Sequence, residues 1–316
     1  MPRLFNSTLR ILTLLCIVRM AGADLAVIGD KLTLDATAWS GAYWWRAEQV
    51  GFAQNKFAFA RAEALAGLTG HLSPVVSFRM SGNLSYLQPR DVYVDLRWSS
   101  GFGLRAGQFL LPLGMDAMTE PDSQVLTTSS FLVNHAKPAG TRDIGVLGNW
   151  ALKRFSASAA VVNGNGVNVD DNNNRMDLCG RVAVRPLSNM DAVLALRAYY
   201  GWPDAADSVW QSAAFEARVS HGPLTLQTEV QNQHGPSAQN NTAYLQAIWN
   251  TGLLAYAGRI DLDQPQGKRT HWMIDGGVNL QPLFEHFKVM FDCSYNRDYQ
   301  GNWGVLGFSL RLQATI

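Results

Sequence analysis

The sequence is short of charge. Only 16% of its residues are Asp, Glu, Lys or Arg, where soluble globular proteins run near about a quarter. Lysine is the scarcest cation, confined to positions 31, 56, 137, 153, 268 and 288, and the formal net charge is only +1. A strongly basic nucleic-acid binder is therefore excluded. Cysteine is nearly absent: of 3, one is Cys16 near the start, and Cys179 and Cys293 alone make no disulfide framework. No C-x-x-C-H, H-E-x-x-H or G-x-S-x-G occurs, which excludes covalent haem, a zincin site and a nucleophile elbow. No cofactor and no metal are expected. Long hydrophobic runs are missing too; with nothing near 18 consecutive apolar residues there is no transmembrane helix, although a barrel of strands stays open.

What is present begins with an export signal. Arg3 and Arg10 form a positive start, Ile11 to Val18 an apolar stretch, and Ala21-Gly22-Ala23 a small-residue cleavage site, so residues 1–23 read as a cleaved signal peptide. Beyond residue 31 the dominant period is two. Val92, Val94, Leu96 and Trp98 alternate with Tyr93, Asp95 and Arg97, and Leu224, Leu226, Thr228 and Val230 alternate with Thr225, Gln227, Glu229 and Gln231. One apolar and one polar face at this period is a half-buried strand.

Short turns at 71–74, 99–101, 153–154, 187–189, 220–223 and 250–252 interleave with longer loops at 47–55, 111–141, 164–174, 202–209, 234–240 and 263–268. Turns at one end and loops at the other define an outer-membrane barrel, and counting through the alternation gives sixteen strands. The expected fold is all-β, a transmembrane antiparallel barrel over 24–316 with periplasmic turns and extracellular loops. Tyr43, Trp44, Trp45, Tyr199, Tyr200 and Trp202 on the loop side, and Trp98, Trp150 and Trp249 on the turn side, fit the aromatic girdles of the membrane interfaces.

Ordered motifs across 56–187 carry a resemblance: Leu72-Ser73-Pro74, Arg90-Asp91-Val92-Tyr93, Gly107-Gln108-Phe109 before Pro112 and Gly114, Arg142-Asp143 with Gly145, Asn163-Gly164-Asn165-Gly166, and Gly180-Arg181 with Pro186. The sequence resembles the phosphate-selective porin O/P family of Gram-negative outer membranes. That resemblance implies a trimeric sixteen-stranded channel in outer-membrane lipid, passing small anions such as phosphate or other small hydrophilic solutes, with inward arginines and a long loop folded into the pore. The sequence departs from the family in lacking lysine clusters and in ending at Ile316 instead of phenylalanine.

Read as lipid-out and lumen-in, the alternation turns Arg61, Arg79, Arg97, Arg105, Arg181, Arg185, Arg197, Arg218, Arg259 and Arg311 inward, beside Glu63, Asp95, Glu216, Glu229, Asp261, Asp275 and Asp292. Guanidinium groups stay ionised and offer forked donors to oxyanions; the same groups can instead brace the wall, as Arg61/Glu63, Asp95/Arg97 and Glu216/Arg218 suggest. The expected anion-binding set is Arg105, Lys137, Arg142, Arg97, Arg181 and Arg185, with Lys137, Arg142 and Arg105 at a constriction set by the inward-folded loop 111–141. The small side chains at Ala58, Ala60, Ala62, Ala64 and Ala66 read as one outward stripe, a subunit interface of a homotrimer. Asp170 to Asn174 reads as a solvated loop, not a calcium site. Cys179 and Cys293 have opposite parity and should stay free thiols. The alternatives are a barrel that sheathes a partner protein such as an electron carrier, and an outer-membrane barrel hydrolase.

Overall fold

The computed structural model describes residues 31–49, 52–134, 141–187, 190–202, 208–236, 239–281, 287–297 and 303–315; the signal segment and Lys137 lie outside them. Eight strands form the first half of the wall: β1 (Leu32–Gln49), β2 (Phe52–His71), β3 (Val76–Asn83), β4 (Gln88–Arg97), β5 (Phe102–Leu110), β6 (Arg142–Ala151), β7 (Phe155–Val162) and β8 (Asp177–Val184). The second half is β9 (Asp191–Gly201), β10 (Trp210–His221), β11 (Leu224–His234), β12 (Gln239–Asn250), β13 (Leu254–Pro265), β14 (His271–Leu280), β15 (Phe287–Arg297) and β16 (Trp303–Thr315). Each pairs antiparallel with the next, and β16 returns to β1 from Trp303↔Gln49 to Thr315↔Thr37. The sheet is a closed up-and-down barrel of sixteen strands, as the alternation required.

The usual relation of burial to polarity is reversed. Val92, Val94, Leu226, Val230, Ile260, Leu262, Leu310 and Leu312 are exposed on the outside, while Asp95, Arg197, Glu216, Glu229, Arg259 and Asp261 are buried within. A wall that faces hydrocarbon outside and polar groups inside has this pattern. The turn-side Trp98, Trp150 and Trp249 are exposed, and two of them meet aromatic neighbours: Trp98 stacks on Phe102 at 5.5 Å and Trp150 meets Phe155 edge-on at 6.2 Å. The turn after β2 is made by Ser73, whose hydroxyl accepts the amides of Val75 and Val76 at 3.2 and 3.0 Å.

Three expectations are corrected. The loop placed at 47–55 is mostly strand, because β1 and β2 run 18 and 20 residues and leave only two between them; Tyr43, Trp44 and Trp45 therefore sit along β1, short of its end. Tyr199 is no interfacial aromatic, since it is buried in the lumen with its hydroxyl donating to Asp177.

The third correction concerns the alanine stripe. The β1–β2 register slips between Trp39↔Glu63 and Gly41↔Ala60, inserting one extra residue in β2. Such a bulge shifts every later side chain to the other face. Gly41 is also opposite Arg311, whose guanidinium binds the interior loop, so Ala58 and Ala60 face the lumen. Beyond the slip, Ala64 and Ala66 face outward and Glu63 inward. The stripe is split between two faces, and the interface reading loses its basis. The outward residues below the bulge are Phe57 and Phe59, 62% and 77% exposed.

Candidate functional site: a lumen crossed by residues 111–134

The segment after β5 runs inside the barrel. Its first turn is held by apolar packing: Leu111 and Leu113 join Phe109, Leu147, Val162, Tyr199 and Trp210 in a buried cluster on the inner wall. Each such leucine contributes about 2 kcal/mol by leaving water. At the neck, the Leu111 amide donates to the Thr141 carbonyl at 2.8 Å.

Past Gly114 the attachment changes character, and the chain is held by hydrogen bonds to the opposite wall. The Asp116 amide donates to Glu229 on β11 at 2.8 Å, and the Phe131 amide to Asp261 on β13 at 3.1 Å. The Thr128 hydroxyl donates to Asp275 on β14 at 3.0 Å, and the Thr127 amide donates to Asp292 on β15. Donors of the wall answer with Arg259 to the Thr128 carbonyl at 2.9 Å, Asn279 to the Val125 carbonyl at 2.7 Å and Arg311 to the Thr127 carbonyl at 3.1 Å. Buried carboxylates need such charge-assisted donors. Glu229, Asp261 and Asp292 are thus engaged by loop backbone amides and Asp275 by a loop hydroxyl. A short helix, α1 (Phe131–Asn134), ends the described part, with the Phe131 ring 4.3 Å from that of His271.

The return to the wall is pinned by Arg142. Its Nε and Nη2 donate to the two oxygens of Asp91 at 3.0 and 3.2 Å, and Nη2 also reaches Glu120 at 2.8 Å. Arg90 binds the other Glu120 oxygen at 3.1 Å. Arg90 and Asp91 are adjacent in sequence yet reach the same side, because β4 carries an extra residue where Met80↔Val92 gives way to Gly82↔Pro89. The next residue, Asp143, accepts the Ile144 and Gly164 amides, both at 2.7 Å, and the Gly166 amide at 3.4 Å. Gly164 and Gly166 have φ of 89° and 88°, which only glycine adopts without strain. The Arg142-Asp143 and Asn163–Gly166 motifs are therefore two halves of one loop anchor.

The residues expected to bind anions have different fates. Arg142 is buried and saturated by Asp91 and Glu120, so it is a loop brace and no free pore cation. Arg105 donates to both Asp95 oxygens at 2.8 and 2.9 Å and lies 3.9 Å over the Tyr93 ring, which also makes it a wall brace. Arg97 shares Asp95 at 3.1 Å but is 69% exposed. Arg181 binds Glu216 at 2.7 Å, whereas Arg185 is exposed and makes no ion pair among the described residues. The i, i+2 pairing of Glu216 with Arg218 is corrected: Glu216 takes Arg197 from the adjacent β9 and Arg181 from β8 beyond it, and Arg218 turns to Asp191 at 3.1 Å. Arg218 and the docking acids were the functional residues that parity marked as inward without revealing their partners.

A lumenal space of about 270 Å³ beneath β9–β13 carries both signs, with Asp116 and Asp191 beside Arg218 and Arg259. Two more flank the loop. One of about 70 Å³ under β1–β4 is lined by Asp35, Asp91, Glu120 and Asp122 with Arg79 and Arg90. The other, about 300 Å³ under β7–β11, contains Arg181, Arg185 and Arg218 and no carboxylate among its lining residues. Among the described residues no group of three His, Cys, Asp or Glu could hold a metal. In the 164–174 loop Asp171 accepts the amides of Asn173 and Asn174.

A closed, even-stranded, up-and-down barrel with an apolar exterior and a long segment folded into a polar lumen is a porin-type fold. Among solved structures the chain is similar to the anion-selective porin from Comamonas acidovorans (TM-score 0.66, 11% identity, 90% of this chain and 100% of that one). It is likewise similar to OprB of Pseudomonas putida (TM-score 0.76, 8% identity, 94% and 97%) and to the outer membrane channel DcaP of Acinetobacter baumannii (TM-score 0.62, 9% identity, 91% and 98%). At these identities the likeness is one of fold. No protein-family profile matches the sequence, and neither does any curated protein.

Proposed function

We propose that the chain is an outer-membrane porin, a passive diffusion channel that passes small hydrophilic solutes and weakly prefers small anions. The observation that carries the preference is the carboxylate-free space lined by Arg181, Arg185 and Arg218; exposed Arg97 extends the same sign toward the turn-side mouth. Rows of guanidinium groups replace part of an anion's water while each site stays shallow enough to leave. Most other inward arginines are neutralised by wall acids, which favours a general pore over a dedicated phosphate trap. In this reading residues 1–23 are the cleaved export signal, 111–141 with Lys137 sets the constriction, and the barrel sits in outer-membrane lipid as a homotrimer. Segment 111–134 takes the space a sheathed partner would need. The hydrolase alternative draws no support from the sequence, which carries neither a G-x-S-x-G nucleophile elbow nor an H-E-x-x-H site.

Reversal potentials under a KCl gradient across a planar bilayer test this reading. Wild type should lean toward chloride, with phosphate reducing the current only slightly. Arg185→Glu should move the reversal potential toward cation preference. A reversal potential unmoved by that substitution would take Arg185 out of the ion path.

A further inference from the structure

The arginine-lined space has a second property that a simple ion path does not need: two of its sides are apolar. Met115 and Met118 cover it from the interior loop, and Ala183 and Val193, both buried and clustered with Ala195, form its floor on β8 and β9. Inorganic phosphate or chloride gains nothing from those faces, since a strongly hydrated ion loses water there without compensation. Methionine thioethers are polarizable and adaptable, and they suit contact with aromatic or aliphatic groups of variable shape.

The donors in the same space are only partly used. Arg181 spends Nε and Nη2 on a single oxygen, Glu216 Oε2, at 2.9 and 2.7 Å. Arg218 holds Asp191 by Nη2 at 3.1 Å, while its Nε is buried with no hydrogen-bond partner. Arg185 makes no ion pair among the described residues. The Arg218 side chain still keeps 39% of its surface exposed, so an oxyanion entering from the lumen can reach its guanidinium edge. At about 300 Å³ the space reaches the lower end of small-molecule pockets.

We propose that this cavity is a binding subsite for organic monocarboxylates with an apolar body, such as aromatic acids, their carboxylate taken by Arg218 and Arg185 and their body held between Met118 and Val193. The proposal deepens the channel reading and rests on it for the route by which such solutes arrive, but the binding itself is measurable without conduction. Its chemistry separates an aromatic acid from a bare anion of the same charge, because only the former uses both the guanidinium groups and the apolar faces.

The test uses the full chain folded in detergent, with 4-fluorobenzoate followed by fluorine NMR and inorganic phosphate as competitor. Saturable binding should weaken at least tenfold in Arg185→Gln and several-fold in Met118→Ser, with phosphate displacing the probe only at large excess. Met118→Ser keeps every charge, so its loss of binding isolates the apolar contribution. Absence of saturable binding overturns the proposal, as does binding unaffected by Met118→Ser with phosphate competing at parity. Wild-type current in a planar bilayer, recorded separately, decides the channel reading. A conducting barrel that ignores 4-fluorobenzoate sinks the subsite alone, and a barrel without current sinks the channel reading whatever the probe does.

Discussion

At the scale of single residues, charge is used here mostly to hold the wall and the loop. Arg142 shows it: a fork-to-fork pair with Asp91, plus Glu120 from the loop, on a side chain buried with its partner. Removing one member of a buried pair strands the other, at a cost of about 3–5 kcal/mol. Arg142→Ala should therefore lower the unfolding midpoint of the detergent-folded barrel in urea clearly more than Arg185→Ala, since Arg185 makes no ion pair among the described residues. Equal midpoints would contradict the bracing role. Sequence parity turned Arg105 and Arg185 to the lumen alike, yet it could not tell Arg105, which is held by Asp95, from Arg185, which makes no ion pair among the described residues. The difference lies in cross-strand neighbours such as Asp91 and Asp95, whose register no local pattern encodes.

At the scale of elements, β-bulges decide which side chains meet. The extra residue in β2 turns Ala58 and Ala60 inward and Ala64 and Ala66 outward, so the period-two reading fails within one strand. A cysteine introduced at Ala60 should react with a water-soluble thiol reagent reaching the lumen, while Ala64→Cys should react with a lipid-phase reagent in vesicles. Identical labelling at both positions would mean a continuous stripe and no bulge. In β4 the same device lets the consecutive Arg90 and Asp91 both serve the interior cluster. The loop is the complementary case: it is attached by Leu111 and Leu113 through burial and by Asp116, Thr127 and Phe131 through backbone amides. Backbone donors leave no mark in a sequence, so only the inward carboxylates that receive them were visible beforehand.

For the whole molecule, barrel closure removes the sheet edges and divides the chain into a lipid-facing and a lumen-facing set. The two cysteines report that division. Cys179 is buried in the interior apolar cluster and Cys293 is partly exposed on the outward face. In vesicles, a lipid-phase maleimide should modify Cys293 and leave Cys179 untouched until the barrel is unfolded; modification of Cys179 in the folded state would contradict the interior packing. The sequence by itself determined the all-β class, the strand number, the alternation of turns and loops and the polar interior, because strand period and turn chemistry are local and act over a few residues. Tertiary structure alone decided which arginines are neutralised, where β2 changes face, and how residues 111–134 lie across the lumen. Those outcomes depend on register between strands and on donors and acceptors far apart in the chain, and both are fixed only once the barrel has closed.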